Sequence, residues 1–458
     1  MKETYRYIKQ RGDFLKLTGV SENHLRYLSD MNTFREFFQP IFGMFGAMLD
    51  VWFVVLPFVF FFLFKLLWMK YARRKYIGTL SWMLLEIIPP RELEKSPKLM
   101  ESIFAGLAGV IKNANPIEIY VQGFLPDYFS LELVGTEGIV HFYIRTQTKY
   151  RNLLEAHFYA QYPDVEIIEV PDYIANVPVT IPNKDWDLWG TEFEFVKPDA
   201  YPIRTYTNFE EDVTGKMIDP LAGLTEVMAQ TGPGQHLWLQ YLICPRGQEG
   251  AWVKEYGMTV VNKIIGKAPE EAIGILRRMG HDFFEVGSNL HKGLLAQEIE
   301  FTGLEAEKKE LGPVEFRLTP GEKDVLKAVQ ANIGKQQFQT RMRFLYIGRK
   351  EGFDRSLISA FIGGIKQFND MNLNSLKPND KTKTTANFLF AHDRLRFRQR
   401  VIHTHYRDRD WDSASDPFFL SSEELATLYH LPDMAVTTPT MTRVAAKRGG
   451  APANLPVE

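Results

Sequence analysis

The sequence predicts an α+β protein, with a single N-terminal transmembrane helix followed by tandem ferredoxin-like α/β units and a helical insertion. Three observations predict it. Residues 51–69 read VWFVVLPFVFFFLFKLLWM, an almost unbroken apolar run. Beyond residue 90, segments of helical period alternate with segments of strand period. Between residues 268 and 309 the chain becomes charged and helical in pattern, as an inserted arm would.

As a helix, the apolar run spans roughly 28 Å, close to the thickness of a bilayer's hydrocarbon core. Lys65 is its one charge and lies near an end, where its stem can carry the ammonium to the headgroups. Pro57 marks a kink of a kind bilayers tolerate. Trp52 and Trp68 stand at the two interfaces. Asp50 reads as the helix start; a longer, tilted helix beginning near Phe42 is the alternative. Lys70, Arg73, Arg74 and Lys75 follow at once and assign that flank to the cytoplasm. Membrane lipid is thus the first expected partner of a single-pass cell-membrane protein. Residues 1–40 are expected outside the cell, 41–75 to form the span and its basic flank, and the rest to be cytoplasmic.

The net charge of -2 excludes a globally basic nucleic-acid binder. Cys244 is the only cysteine, which excludes an intramolecular disulfide and a cysteine-rich zinc site.

Residues 90–190 read as a first α/β unit. Met100, Ile103, Leu107 and Val110 keep helical spacing, and strands are expected at 117–121, 129–133 and 139–144. A helix at 153–161 and a strand at 165–170 complete an α-β-β-β-α-β order that, apart from its extra first strand, suits a ferredoxin-like sheet. A second unit at 191–267 carries a helix from Asp219-Pro220, a strand at 237–244 and a helix at 252–265. Residues 268–312 form the arm. A third unit at 313–435 opens with Thr319-Pro320-Gly321-Glu322, the form of a capping box with proline at the first helical position. Its strand is expected at 338–348 and its next helix at 357–368. Residues 436–458 read as a linker tail.

Four motifs invite chemistry. His403 and His405 alternate, and on a strand both rings would meet one cation; the alternative is a surface strand with paired polar histidines. Arg394, Arg396, Arg398 and Arg400 alternate along RLRFRQR and would form one basic stripe on a strand. Such a stripe suits phosphate backbone, a partner subunit, or a solvated face paired with Asp393, Asp408 and Asp410. Arg341 and Arg343 alternate likewise. Glu423 and Glu424 read as first-turn residues behind a Ser421 or Ser422 cap, in a helix ended by His430-Leu431-Pro432.

Three stretches carry a family likeness: GIVHFYIRTQTKYRNLLEAHFYAQYPDVEIIEVPDY (138–173), FQTRMRFLYIGRKEGF (338–353) and FFLSSEELATLYHLPDM (418–434). The sequence resembles the membrane-proximal N-terminal half of conjugation-type coupling ATPases of type IV secretion systems. In that family a tail like AAKRGGAPANLP (445–456) leads into the motor domain, whereas no G-x-x-x-x-G-K-[S/T] loop occurs in this sequence. TGPGQH at 231–236 lacks the lysine and the hydroxyl that hold phosphate and magnesium, and reads as a turn before a strand. The resemblance therefore implies a non-enzymatic anchor, without cofactor, that docks a separate P-loop ATPase, with a homo-oligomeric ring as the implied assembly. The alternatives are a membrane-tethered nucleic-acid-binding protein, for which DNA is the partner, a metal-dependent nuclease, and a scaffold without a motor.

Overall fold

The apolar run folds into one helix, α1 (Trp52–Ile77). The structure, a computed structural model, describes residues 52–90, 96–112, 114–209, 219–246, 251–265, 318–387, 390–411 and 415–432. Asp50, the segment 1–40, the arm at 268–312 and the tail at 436–458 lie outside the described residues. Next in the chain come β1 (Trp82–Ile88), α2 (Lys98–Leu107), α3 (Pro116–Tyr120), β2 (Phe129–Thr136), β3 (Ile139–Gln147), α4 (Arg151–Gln161) and β4 (Glu166–Glu169). They are followed by β5 (Trp186–Phe195), α5 (Ala222–Ala229), β6 (Gln235–Pro245), α6 (Ala251–Ile265) and α7 (Pro320–Ile333). The last are β7 (Gln337–Arg349), α8 (Arg355–Ile365), β8 (Leu376–Pro378), α9 (Ala391–Arg407), β9 (Phe418–Ser421) and α10 (Ser422–Leu428).

These elements form two compact units. The first holds α1 and the segment Ala114–Leu125; the second holds the other elements. In the first, the chain at Gly123 adopts φ 73°, and a Cβ there would lie 2.2 Å from the carbonyl carbon of Ala72. Only glycine permits both the left-handed turn and this approach to the helix backbone. Residues 117–121, expected as a strand, are instead helical through Tyr120. Pro116 takes the first helical position, where no N–H is missed, and Glu118 accepts from the Asn115 N–H at 2.8 Å.

The second unit is built on one antiparallel sheet, ordered β4-β1-β3-β2-β6-β7-β5-β8, with β9 beside the start of β7. The order has an internal symmetry. β1-α2-β2-β3-α4-β4 arranges its strands as β4-β1-β3-β2, and β5-α5-β6-β7-α8-β8 arranges its own as β8-β5-β7-β6. The halves meet where β2 pairs with β6, from Phe129 against Ile243 to Thr136 against His236. In the first half, β2 and β3 are joined through Glu137 and Gly138, both at positive φ, as a tight hairpin demands. In the second half, α6 and α7 stand between β6 and β7 and pack closely: a Cβ on Gly257 would meet Ile333 at 2.4 Å.

The three separate units expected from the sequence are thereby corrected. β7, placed in the third unit, lies between β6 and β5 and pairs with both. β1 and β5, absent from the predicted strands, complete the two halves. Backbone pairing decides the grouping, because a strand left without its neighbour would bury unpaired N–H and C=O groups.

Strand alternation sorts the sheet's side chains onto two faces. Phe129, Leu131, Leu133, Phe142, Leu239, Tyr241 and Phe344 enter the main core with α2, α4, α5, α8 and α10. Each such fully buried side chain contributes about 1.5–3 kcal/mol. Val134, Tyr143, Trp238 and Leu345 face the other way, toward Ile402 and Tyr406 of α9 and toward Tyr173 and Ile174. Gly190 on β5 admits this packing; a Cβ there would lie 2.4 Å from Leu345 and 3.3 Å from Ile402. The capping box read from the sequence forms at Thr319 with Glu322, and of the two serines read as a cap it is Ser421 that caps α10, in a box with Glu424.

Candidate functional site

In the first unit, α1 carries the most distinctive surface. Every residue from Pro57 to Trp68 is exposed, and its apolar side chains other than Trp68 are 48–63% accessible. A helix on a water-soluble core buries one stripe and shows polar residues on the other; this one is apolar all round. Among the described residues no helix is long and apolar enough to cross a membrane. The side chains of α1 are described from Leu56 onward, whereas its apolar sequence begins at residue 51. Lys65 stands with its ammonium 5.7 Å from the centre of the Tyr120 ring, and the Trp68 indole donates to the Tyr120 carbonyl at 2.8 Å. Arg74 is exposed and Arg73 half-buried at the basic end.

In the second unit, the arginines predicted on a strand lie on α9. Successive residues of a helix turn by about 100°, so alternate ones fall on opposite flanks and no single stripe forms. Arg394 and Arg398 share one flank, Arg396 and Arg400 the other. Arg398 donates to the carbonyls of Lys383 at 3.0 Å and Thr385 at 2.7 Å. Arg394, Arg396 and Arg400 are exposed. Two aromatic neighbours, Phe390 and Phe397, are 77% and 69% accessible, and the strand reading, which set Phe397 on the face opposite the arginines, did not bring them together with the bases. Arg394 and Phe397, three residues apart, stand on one outward face of α9 away from Tyr406, and Phe390 precedes the helix as its N-cap at φ 55°. Helical spacing, rather than alternation, is the signal that finds them.

The same geometry corrects the histidine pair. His403 and His405 point to different sides of α9. His403 is buried, while His405 is partly exposed with its Nδ1 3.3 Å from Asp410. Among the described residues no group of three or more His, Cys, Asp or Glu side chains is placed to hold a metal ion.

Arg341 and Arg343 do alternate on a strand, β7, but inside the protein. Arg343 donates to Glu192 at 2.6 Å, to Gln240 at 3.3 Å and to the carbonyls of His405 at 3.1 Å and Asp410 at 2.5 Å. Arg341 donates to the Ser415 carbonyl at 2.6 Å. Beside them lies a second buried ion pair that no local signal announces. Arg409 donates to both oxygens of Glu132 at 3.0 Å and pairs with Asp172. Glu132 also accepts from Ser130 at 2.5 Å, Gln240 at 3.0 Å and Tyr173 at 2.9 Å. Burial would raise the Glu132 carboxyl; the charge and hydrogen bonds of Arg409, with Ser130 and Tyr173, hold it below the usual range. Arg409 adopts φ 48°, a left-handed conformation that costs about 1–3 kcal/mol for a side-chain-bearing residue. The network fixes the C-terminal end of α9 across β2, β6 and β7, the strands at the seam of the two halves. It is a clamp; every charge in it has a partner.

Four other groups, the buried His236, His403 and Glu424 and the partly buried Asp199, set an acid–base balance. Burial lowers His236 and His403 to about 4, with Arg407 adding to the effect at His403. Burial raises Glu424 to about 7 against hydrogen bonds from Ser421 and Ile203, and Asp199 to about 6 against the Phe419 N–H. The stability that the histidines contribute is complete above pH 6.5 and is lost as pH falls toward 4, because the unfolded chain takes up protons the fold refuses. The carboxyls act oppositely, since their stability is lost as pH rises toward 7 and 6. The two slopes offset each other near pH 5. Glu424→Gln with Asp199→Asn should unmask the histidines, giving a stability that rises by about 4 kcal/mol from pH 5 to pH 7 in urea unfolding. A flat profile in this variant would contradict the burial argument.

The geometry defines an α+β protein: one compact unit carries the apolar helix α1, the other a doubled antiparallel sheet and the helix α9 with its outward arginines. Residues 81–444 match the family described as Domain of unknown function (DUF8128), and the chain belongs to that family. No curated protein matches the chain.

Proposed function

We propose that the chain is a non-enzymatic, membrane-anchored component of a type IV secretion or conjugation-like transfer machine, and that it docks a separate motor ATPase. The observation that carries the anchor is the exposed apolar surface of α1 from Pro57 to Trp68, ending in Lys70, Arg74 and Lys75. Such a surface is stable in lipid and costly in water. The helix spans the cell membrane once, with the C-terminal region in the cytoplasm. The doubled sheet is read as two ferredoxin-like units, each with strand order 4-1-3-2. The stretch 418–434, where the likeness is most specific, supplies Leu420, Leu425, Tyr429 and Leu431 to the main core. That likeness therefore speaks for a shared fold, and the docking role follows from it as a reading. The partner meets the outward face of α9, where Phe390 and Phe397 offer anchors among Arg394, Arg396 and Arg400.

Protease treatment of intact and opened spheroplasts tests the anchor and its direction. A C-terminal tag should be cleaved only after opening, and the chain should resist alkaline carbonate. Cleavage in intact spheroplasts would reverse the orientation, and release by carbonate would remove the anchor. For docking, Arg394→Glu, Phe397→Ala and Arg400→Glu together should cut recovery of the ATPase by tenfold or more, on the order of the loss of one aromatic hot spot. Unchanged recovery would move the docking site elsewhere.

The exposed rings beside arginines also favour a second reading, single-stranded nucleic acid stacked on Phe390 and Phe397. That reading requires binding that falls steeply with salt.

A further inference from the structure

Resting on the membrane-anchor reading, we infer that the segment Ala114–Leu125 is a second lipid contact, which lies in the membrane interface beside the end of α1. Ile117, Tyr120 and Val121 are 66%, 53% and 58% accessible, an apolar surface on a segment of only one helical turn. The segment shares a compact unit with α1. Its depth is fixed by named contacts: the Trp68 indole on the Tyr120 carbonyl, Lys65 over the Tyr120 ring, Tyr76 against Phe124 at 5.6 Å, and Gly123 closed onto Ala72. Lys65 and Trp68 are the last turn of the apolar run, and Lys70, Arg74 and Lys75 follow. Tyr120 therefore stands at the level where the helix passes from hydrocarbon to headgroups, where tyrosine and tryptophan prefer to sit. The exposed Tyr120 touches the exposed Lys65 and Trp68 of α1, and the exposed bases suit anionic headgroups. The Tyr120 ring also gives the one charge in the apolar run a partner. The occupant is thus the interface of an anionic bilayer, entered by Ile117 and Val121.

The test uses the full chain in vesicles of phosphatidylcholine and phosphatidylglycerol, with Cys244→Ala to leave one reactive thiol. An environment-sensitive fluorophore is placed at Ile117→Cys in one sample and at Phe61→Cys in another. Each is read with a nitroxide near the head or near the end of the acyl chain, against nitroxide-free vesicles. The expected result is loss of Phe61-site emission mainly to the deep nitroxide and of Ile117-site emission mainly to the shallow one. If the Phe61 site is quenched and the Ile117 site is untouched, the interfacial segment is overturned and the anchor stands. If the Ile117 site is quenched chiefly by the deep nitroxide, the interfacial depth is overturned. If the Phe61 site is unquenched, the anchor falls and this inference with it.

Discussion

Arg409→Ala is expected to destabilise the sheet unit by about 3–5 kcal/mol, read as a lower urea midpoint at unchanged slope. The cause is the charge left behind. Glu132 is fully buried, and without Arg409 it keeps hydrogen bonds but loses the cation that holds it ionised. The turn at φ 48° also loses the interactions that offset its strain. Two comparisons separate the clamp from general disruption. Arg409→Met with Glu132→Gln removes both charges and should recover much of the loss, because an apolar replacement of a buried pair often costs little. Arg400→Ala, at an exposed position on α9, should change stability by no more than about 0.5 kcal/mol. Equal destabilisation by Arg409→Ala and by the double variant would contradict the ion-pair account.

Phe60→Asp with Phe61→Asp is expected to release the chain from membranes. Each aspartate near the centre of a spanning helix costs about 2.5–3.5 kcal/mol, so the two together cost about 5–7 kcal/mol. Because Phe60 and Phe61 are exposed and pack into no core, the sheet unit should keep its urea midpoint. Carbonate extraction should therefore move the protein to the supernatant without unfolding it. If the variant stays in the carbonate-resistant pellet, the exposed surface of α1 is not what holds the chain.

The sequence was legible where the signal is local. The strands at 237–244 and 338–348, the helices at 252–265 and 320–333, the Thr319 capping box and a serine cap at 421 or 422 all rest on neighbouring residues, and the structure contains them, with Ser421 as the cap. The alternating arginines of RLRFRQR misled because alternation over seven residues also fits a helix with bases on both flanks. The buried positions Gln399, Ile402, His403 and Tyr406 set the helical period only over a longer window. The fate of Arg341 and Arg343 was illegible for another reason. Alternation on a strand was correct, but burial depends on Ser415 and on Glu192, 74 and 151 residues away. β5 was hidden by its mixed content, WDLWGTEFEF, in which Glu192 alone of the three acids is buried, where that distant arginine meets it. The interleaving of β7 between β6 and β5 is a long-range pairing across residues 266–317, which no segment of sequence announces.

Affinity purification of the full chain from native membranes, followed by mass spectrometry, tests the docking claim most directly. The account predicts recovery of a P-loop ATPase that has no membrane segment of its own, and its loss with the triple α9 variant. Recovery of DNA or channel subunits without any ATPase would contradict it.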